Sequence, residues 1–225
     1  MIIFFVLAAV PANAGICTNP EARLGFLRHN FAETADHEQS WATHWSLGWA
    51  GLTALQLIGI PVVGTKDKRQ DLAVGAFGSA MGLLPTFIIP PRALADRELL
   101  SKPPQSDSCA DVEQFETALE RAATDEAFMH SWISHAGSLL FTLGLTAVEG
   151  FGLHHWGPAA LTLGFGVVVG EIMIYTRPYN AERALARYRA GDFSARSENS
   201  ESQSLKVSLF WNGDAAAVGL RMDLN

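Results

Sequence analysis

The chain has 225 residues, of which 17% are charged and 48% are hydrophobic, and its formal net charge is −7 at pH 7. Soluble domains usually carry about 25% charged residues, so this composition favours a membrane protein. Because the chain is acidic and has no run of lysines and arginines, the composition argues against a nucleic-acid partner, which would need a basic surface.

The first predicted element is a signal peptide at 1–14. Its apolar run covers only the first ten residues, whereas a helix needs about 20 residues to span a bilayer. The triplet Ala12-Asn13-Ala14 matches the small-x-small pattern that precedes a signal peptidase site. We therefore expect cleavage after Ala14.

Most of the remaining chain is predicted to be one unit present twice, repeat 1 at 15–91 and repeat 2 at 92–178. Each repeat holds one amphipathic helix and two apolar segments. We therefore expect an all-α integral membrane protein with four transmembrane helices, arranged as two parallel repeats of a helical hairpin. Three motifs recur about 90 residues later: SWATH at 40–44 as SWISH at 131–135, GLTA at 51–54 as GLTA at 144–147, and FGSAMG at 77–82 as FGVVVG at 165–170.

The two cysteines, Cys17 and Cys109, lie at matching positions of the two repeats. On an exported surface such a pair indicates a disulfide. Two free thiols are the alternative.

Two surface helices are predicted from apolar residues at helical spacing. The first follows the cap sequence Asn19-Pro20-Glu21, and the second begins near Asp111. Each is expected to lie on the membrane surface or to pack on the other. Their apolar positions are Leu24, Leu27 and Phe31, and Val112, Phe115 and Leu119.

The charges of the loops predict the topology. The connector 65–71 carries three cations and is short, so it is expected in the cytoplasm. The long acidic excursion 92–130 is expected on the exported side, with both termini. The predicted localisation is a bacterial-type inner membrane. The four spans are predicted at 41–64, 72–91, 132–155 and 159–176.

After a polar helix and linker at 179–205, the tail 206–225 is predicted to be a small β-hairpin. Val207, Leu209 and Trp211 alternate with polar residues, and Asn212-Gly213 is a preferred hairpin turn. The hairpin and the loop 92–130 are the surfaces through which a protein partner would bind.

Glu149 and Glu171 are the main candidates for function, since an acid within a membrane helix is costly. Gln56 occupies the repeat position of Glu149, and a Gln56–Glu149 hydrogen bond is predicted. Glu171 is predicted to reach His135 or Ser138. The alternative is that both acids are structural.

His44 and His135 occupy equivalent positions in the two repeats and are candidates for haem or metal ligands; the alternative is an interfacial histidine. His154-His155 is interpreted as a polar inner turn rather than a metal site, because no acidic or thiolate cluster lies near it in the sequence. Glycines spaced four apart favour close helix packing, at Gly78, Gly82, Gly166 and Gly170.

These observations favour a non-enzymatic scaffold or partner-binding subunit of a membrane assembly. No catalytic residue, metal or cofactor is predicted, because no phosphate loop, zinc-ligand spacing or nucleophile elbow is present. The alternative is a small transporter or a proton or cation pathway that uses Glu149 and Glu171. A membrane redox protein with His44 and His135 as ligands is the third hypothesis. The predicted partners are the lipid bilayer and possible further copies of the chain.

Overall fold

A computed structural model of the chain describes residues 18–87, 90–103, 108–193, 205–211 and 216–222. It divides into two units, 1–193 and 194–225. The described part of the first unit is helical. Its elements are α1 Pro20–Val62, α2 Lys66–Phe87, α3 Arg92–Ala95, a 3₁₀ helix Arg97–Ser101, α4 Ser108–Met129, α5 Trp132–Ala147, a π-helical segment Val148–Gly152, α6 Trp156–Tyr175 and α7 Asn180–Arg189.

Helix α1 is continuous over 43 residues, which corresponds to about 65 Å and is twice the thickness of a bilayer's hydrocarbon core. The predicted surface helix and the first predicted span are therefore one helix. The physical reason is that residues 26–47 contain neither glycine nor proline. No helix-breaking residue therefore lies at the boundary between the predicted surface helix and the predicted span.

The first half of α1 packs with α3, α4 and α7 in a helical domain, which we call the cap. Phe31 and Phe115 meet edge to face with their ring centroids 6.0 Å apart. Small alanines let α4 and α7 approach closely. The buried core contains Phe26, Leu27, Phe31, Ala35, Ala93, Val112, Phe115, Ala118, Leu119, Ala122, Ala123, Ala181 and Ala184.

The second half of α1 forms, with α2, α5, the π segment and α6, a group of helices that we call the bundle. In contrast to the cap, its large apolar side chains point outward. The exposed ones include Leu55, Ile58, Val62, Phe77, Ile133, Leu140, Phe151, Leu161, Phe165 and Val168. An apolar exterior of this extent indicates contact with lipid rather than water.

Two helical stretches, Pro20–Val62 and Trp156–Arg189, are long and apolar enough to cross a membrane. The pair Cys109–Met129 and Trp132–Gly152 is bent by 49° and adds a third candidate if it is one span. These lengths and compositions, taken from the described residues, indicate a membrane protein.

Helix α2 begins at Lys66, earlier than the predicted span 72–91. The hydroxyl of Thr65 accepts from the Lys68 N–H at 3.4 Å, as a helix N-cap does, and Asp67 lies in the first turn, where a negative charge is favoured. The connector therefore shortens to 63–65, and the charged residues form the first turns of a helix.

Residues at equivalent positions of the two repeats are equally buried in the cap core but differ in burial at the tryptophans that begin the predicted spans. The matching residues Leu27 and Leu119 are both fully buried in the cap core. Trp41 is 9% exposed, whereas its counterpart Trp132 is 76% exposed. Trp41 is covered because the guanidinium of Arg177 lies 5.4 Å from its ring centroid.

The second unit contains two antiparallel strands, β1 Leu205–Trp211 and β2 Ala216–Met222. Val207 is opposite Leu220, and Leu209 is opposite Val218. The predicted turn at 212–213, the signal peptide 1–14 and Cys17 lie outside the described residues. The turn, the cleavage and the Cys17–Cys109 disulfide therefore stay predictions.

Leu119→Ala is expected to lower the free energy of unfolding by about 2–5 kcal/mol, because it leaves a cavity in the cap core. The matched control is Leu161→Ala, since Leu161 is exposed on the bundle and its truncation opens no cavity. Chemical denaturation of the purified full chain in detergent measures both. Equal losses for the two variants would contradict the division into cap and bundle.

Candidate functional site

One face of α5 is polar and points into the bundle. His135, Ser138, Thr142 and Glu149 are separated by three, four and seven residues, which places them on a single side of the helix. Thr142 and Glu149 are buried, whereas Leu140 on the opposite side is exposed. Helix α5 is therefore apolar outside and polar inside, the reverse of a surface helix in water.

Helix α6 approaches this polar face through its glycines. A Cβ atom added at Gly166 would lie 2.6 Å from the Thr142 Cγ2 atom, and one added at Gly170 would overlap the Ser138 hydroxyl. The backbone of α6 therefore lies directly against both hydroxyl side chains. We call the line of contact from His135 on α5 to Glu149 in the π-helical segment that follows it, with Gly166, Gly170 and Glu171 on α6, the seam.

The other two predicted packing glycines lie on α2. A Cβ atom at Gly82 would lie 2.6 Å from the Trp49 ring, and one at Gly78 would lie 2.8 Å from Leu145 Cδ1. Gly82 therefore faces α1 within the first hairpin. Gly78 faces α5 of the second hairpin, so a larger residue there would separate the two hairpins.

At the end of the seam nearest the cap, His135 and Glu171 form a pair. The distance from His135 Nδ1 to Glu171 Oε2 is 2.8 Å, and the side chains are 28% and 34% exposed. Of the two predicted partners of Glu171, the imidazole is the one that bonds it. The pair lies on a cavity of about 260 Å³ between α5 and α6.

At the far end of the seam, Glu149 lies in the π-helical segment Val148–Gly152. Its side chain is 2% exposed, and its Oε2 atom has no hydrogen-bond partner among the residues that the structure describes. A π-helical turn adds a residue to the helix and often occurs at functional sites. Here it coincides with a buried carboxylate oxygen that no described side chain satisfies.

The structure places His155 beside two aspartates that the sequence did not connect with it. His155 Nδ1 lies 2.5 Å from Asp71 Oδ1, and Nε2 lies 3.8 Å from Asp67 Oδ1. The backbone N–H of His155 donates to the Glu149 carbonyl oxygen at 2.9 Å. This cluster joins the turn of the second hairpin to the start of α2 and lies next to Glu149 along the chain.

The predicted Gln56–Glu149 hydrogen bond is not formed. Instead, Ser79 Oγ lies 2.9 Å from Gln56 Oε1 and 2.8 Å from Thr53 Oγ1. These three polar groups satisfy one another inside the first hairpin, because α1 and α2 are neighbours. Gln56 therefore stabilises its own hairpin, and Glu149 is left without this amide.

The two histidines proposed as haem or metal ligands have separate environments. His44 is exposed, and its Nδ1 lies 2.7 Å from the Ser40 carbonyl oxygen, whereas His135 bonds Glu171. Within the described ranges, no group of three or more His, Cys, Asp or Glu side chains is placed to hold a metal ion.

A buried charged cluster joins the cap to the bundle. Arg177, just after α6, donates from Nε to Glu38 Oε1 at 3.0 Å and from Nη2 to Asp125 Oδ2 at 2.7 Å. Both Arg177 and Glu38 are almost fully buried. Sequence reasoning missed this cluster, because its members are far apart in the chain and each alone resembles a surface charge. An arginine directly after an apolar span was the available signal.

Glu126 lies beside this cluster and caps α7. Its two carboxylate oxygens accept from the backbone N–H groups of Ala181 at 3.1 Å and Glu182 at 3.0 Å. Burial raises the pKa of Glu126 to about 8, and nearby Glu38 adds to the rise, whereas the backbone donors and Arg177 oppose it. A carboxyl group that changes charge near neutral pH therefore holds the start of α7.

No family model, no curated protein and no solved structure matches the chain. The function is therefore argued from the geometry of the seam and the clusters at its two ends.

Folding raises the pKa of Glu126 from 4.5 to about 8, so the folded cap binds this proton more tightly than the unfolded chain. Its contribution to stability is present below pH 4.5 and is lost as the pH rises to 8. We expect the cap to unfold more readily at pH 8 than at pH 5. Glu126→Gln should reduce this difference.

Circular dichroism during denaturation at the two pH values measures the effect. Glu113→Gln is the control, because Glu113 is exposed on the same helix. This substitution should leave the difference in stability between pH 5 and pH 8 as it is in the unmodified chain. An unchanged difference in Glu126→Gln would contradict the assignment.

Proposed function

We propose that the chain is a multi-pass membrane protein that transfers protons along the seam between α5 and α6. The observation that carries the proposal is the continuous polar face of α5, which runs from the His135–Glu171 pair to the buried carboxylate of Glu149. Polar groups inside lipid-facing helices are costly, and a row of them is typical of a proton or ion path.

The groups along the seam have the chemistry for proton transfer. His135 and Glu149 are separated by about 21 Å along the helix, which is two thirds of a bilayer's hydrocarbon thickness. Between them lie the hydroxyls of Ser138 and Thr142, each of which can donate and accept a hydrogen bond. Thr146 adds a third hydroxyl, which donates to the Thr142 carbonyl at 2.9 Å.

The His155–Asp71 cluster supplies an exchange group beyond Glu149. The two ring nitrogens of an imidazole allow it to take up a proton on one side and release one on the other. The backbone N–H of His155 bonds the Glu149 carbonyl oxygen at 2.9 Å, which supports His155 as the next group to take a proton from Glu149. The proposed order is His135–Glu171, the hydroxyls, Glu149 and then His155–Asp71.

The proposal includes the four-span arrangement. It is supported by contacts at both ends of the bundle. The turns of the two hairpins meet at His155 and Asp71, and the opposite ends meet where Trp45 Nε1 donates to Thr176 Oγ1 at 3.2 Å. Two hairpins joined in this way run parallel to each other, as a duplicated unit would. The cytoplasmic side of the 65–71 turn, the inner-membrane localisation and the exported termini belong to the same proposal.

Glu149→Gln is expected to lower proton flux at least about tenfold, since an amide, unlike a carboxyl group, does not bind and release a proton as an acid–base group. Flux is measured with the purified protein in liposomes that enclose a pH-sensitive dye, after a potassium–valinomycin potential is applied. Glu171→Gln should act in the same direction.

Glu113→Gln is the matched control, because it removes an exposed carboxylate of the cap and should leave the flux unchanged. Wild-type flux equal to that of protein-free liposomes, or full flux in Glu149→Gln, would exclude the pathway.

The scaffold hypothesis is the second candidate, and the tail supports it. Strands β1 and β2 pair only with each other among the described residues, so each has an outer edge to which a partner strand could add. The apolar face of α4 is already covered by α1 in the cap core. The tail is therefore the better docking surface, and deletion of 206–225 should remove any protein that co-purifies from native membranes.

A further inference from the structure

The cavity at the cap-side end of the seam has a mainly apolar lining that includes the His135–Glu171 pair. It lies between α5 and α6, and its volume is about 260 Å³, enough for a single ring and too small for a drug-sized molecule. Its lining consists of His135, Ala136, Ser138, Leu139, Val167 and Glu171. Leu139 and Val168 beside it are exposed on the lipid-facing exterior, so a molecule would enter from the membrane.

The hydrogen-bonding state of His135 defines what the cavity can recognise. Its Nδ1 is occupied by Glu171 at 2.8 Å, and its Nε2 forms no hydrogen bond within the described part of the chain. When the ring is neutral and Nδ1 carries the proton, Nε2 accepts from a hydroxyl. When the ring is protonated, Nε2 donates to a carbonyl.

The charge of the lining selects against the common headgroups. It contains the carboxylate of Glu171 and neither lysine nor arginine, so a phosphate would be repelled. An uncharged hydroxyl or carbonyl meets no such repulsion. Tyr175 adds an exposed aromatic ring beside the cavity, with its centroid 5.5 Å from that of His135, and aromatic side chains favour a flat partner.

We propose that this cavity binds an uncharged, lipid-soluble ring compound of the quinol–quinone class, with its ring oxygen on His135 Nε2. The inference deepens the proposed function and rests on it, because His135 would be the point where a ring hydroxyl and the seam exchange a proton. It concerns binding and proton exchange, and no electron transfer is included.

The test is photolabelling of the full chain in phosphatidylcholine nanodiscs with an azidoquinone, followed by peptide mapping. We expect saturable labelling of α5 or α6 that decylubiquinone displaces. His135→Gln and Glu171→Gln should weaken this displacement at least about tenfold. His44→Gln is the matched control, since His44 has the equivalent repeat position and lies away from the cavity, and it should behave as the unmodified chain does.

Three results would overturn the inference: labelling that does not saturate, equal displacement in all three variants, or displacement by phosphatidylglycerol and not by decylubiquinone. Denaturation curves like that of the unmodified chain verify that the variants are folded. The flux assay separates the two proposals. Flux without saturable labelling overturns the quinone site alone, whereas saturable labelling without flux overturns the proton pathway alone.

Discussion

The ion pair between Arg177 and Glu38 is the interaction on which the arrangement of cap and bundle depends. It joins α1 to the segment after α6, and Asp125 adds α4 to the same guanidinium. Removing one member of a buried pair costs about 3–5 kcal/mol, because the other charge is left unpaired. The pair lies at the junction of the cap and the bundle, where the Arg177 guanidinium lies 5.4 Å from the centroid of the Trp41 ring. The cap is therefore fixed at one end of the seam rather than attached by a loose linker.

The chain uses two opposite packing rules along one helix. In the cap, apolar side chains such as Leu27 and Phe31 are inside, because burial removes them from water. In the bundle, Leu55 and Ile58 on the same helix are outside, because lipid is as apolar as they are. What holds the bundle together is then close contact at small residues and polar groups that satisfy one another, as Ser79 and Gln56 do. Glu149, whose Oε2 atom is buried without a hydrogen-bond partner among the described residues, is the acid of the bundle on which the proposed function relies.

Much of the architecture could be predicted from periodicity and length. The apolar faces of the two surface helices are confirmed as buried core, with Leu27 and Leu119 at its centre. The contact of Glu171 with His135 was one of two predicted choices and is the one formed. The continuity of α1 was not predicted, because the change from an amphipathic segment to an apolar one resembles the boundary between two helices. The prediction of a Gln56–Glu149 hydrogen bond was wrong, because residues at equivalent positions of two repeats need not be in contact.

The sequence by itself determined the apolar segments, the amphipathic faces and the acids within them, since hydropathy and helical spacing are local properties of the chain. Only the tertiary structure decided which polar groups meet. Asp71 reaches His155, and Arg177 reaches Glu38, across large separations in the chain. Such pairings depend on how helices approach one another, and that geometry follows from packing that no single segment encodes.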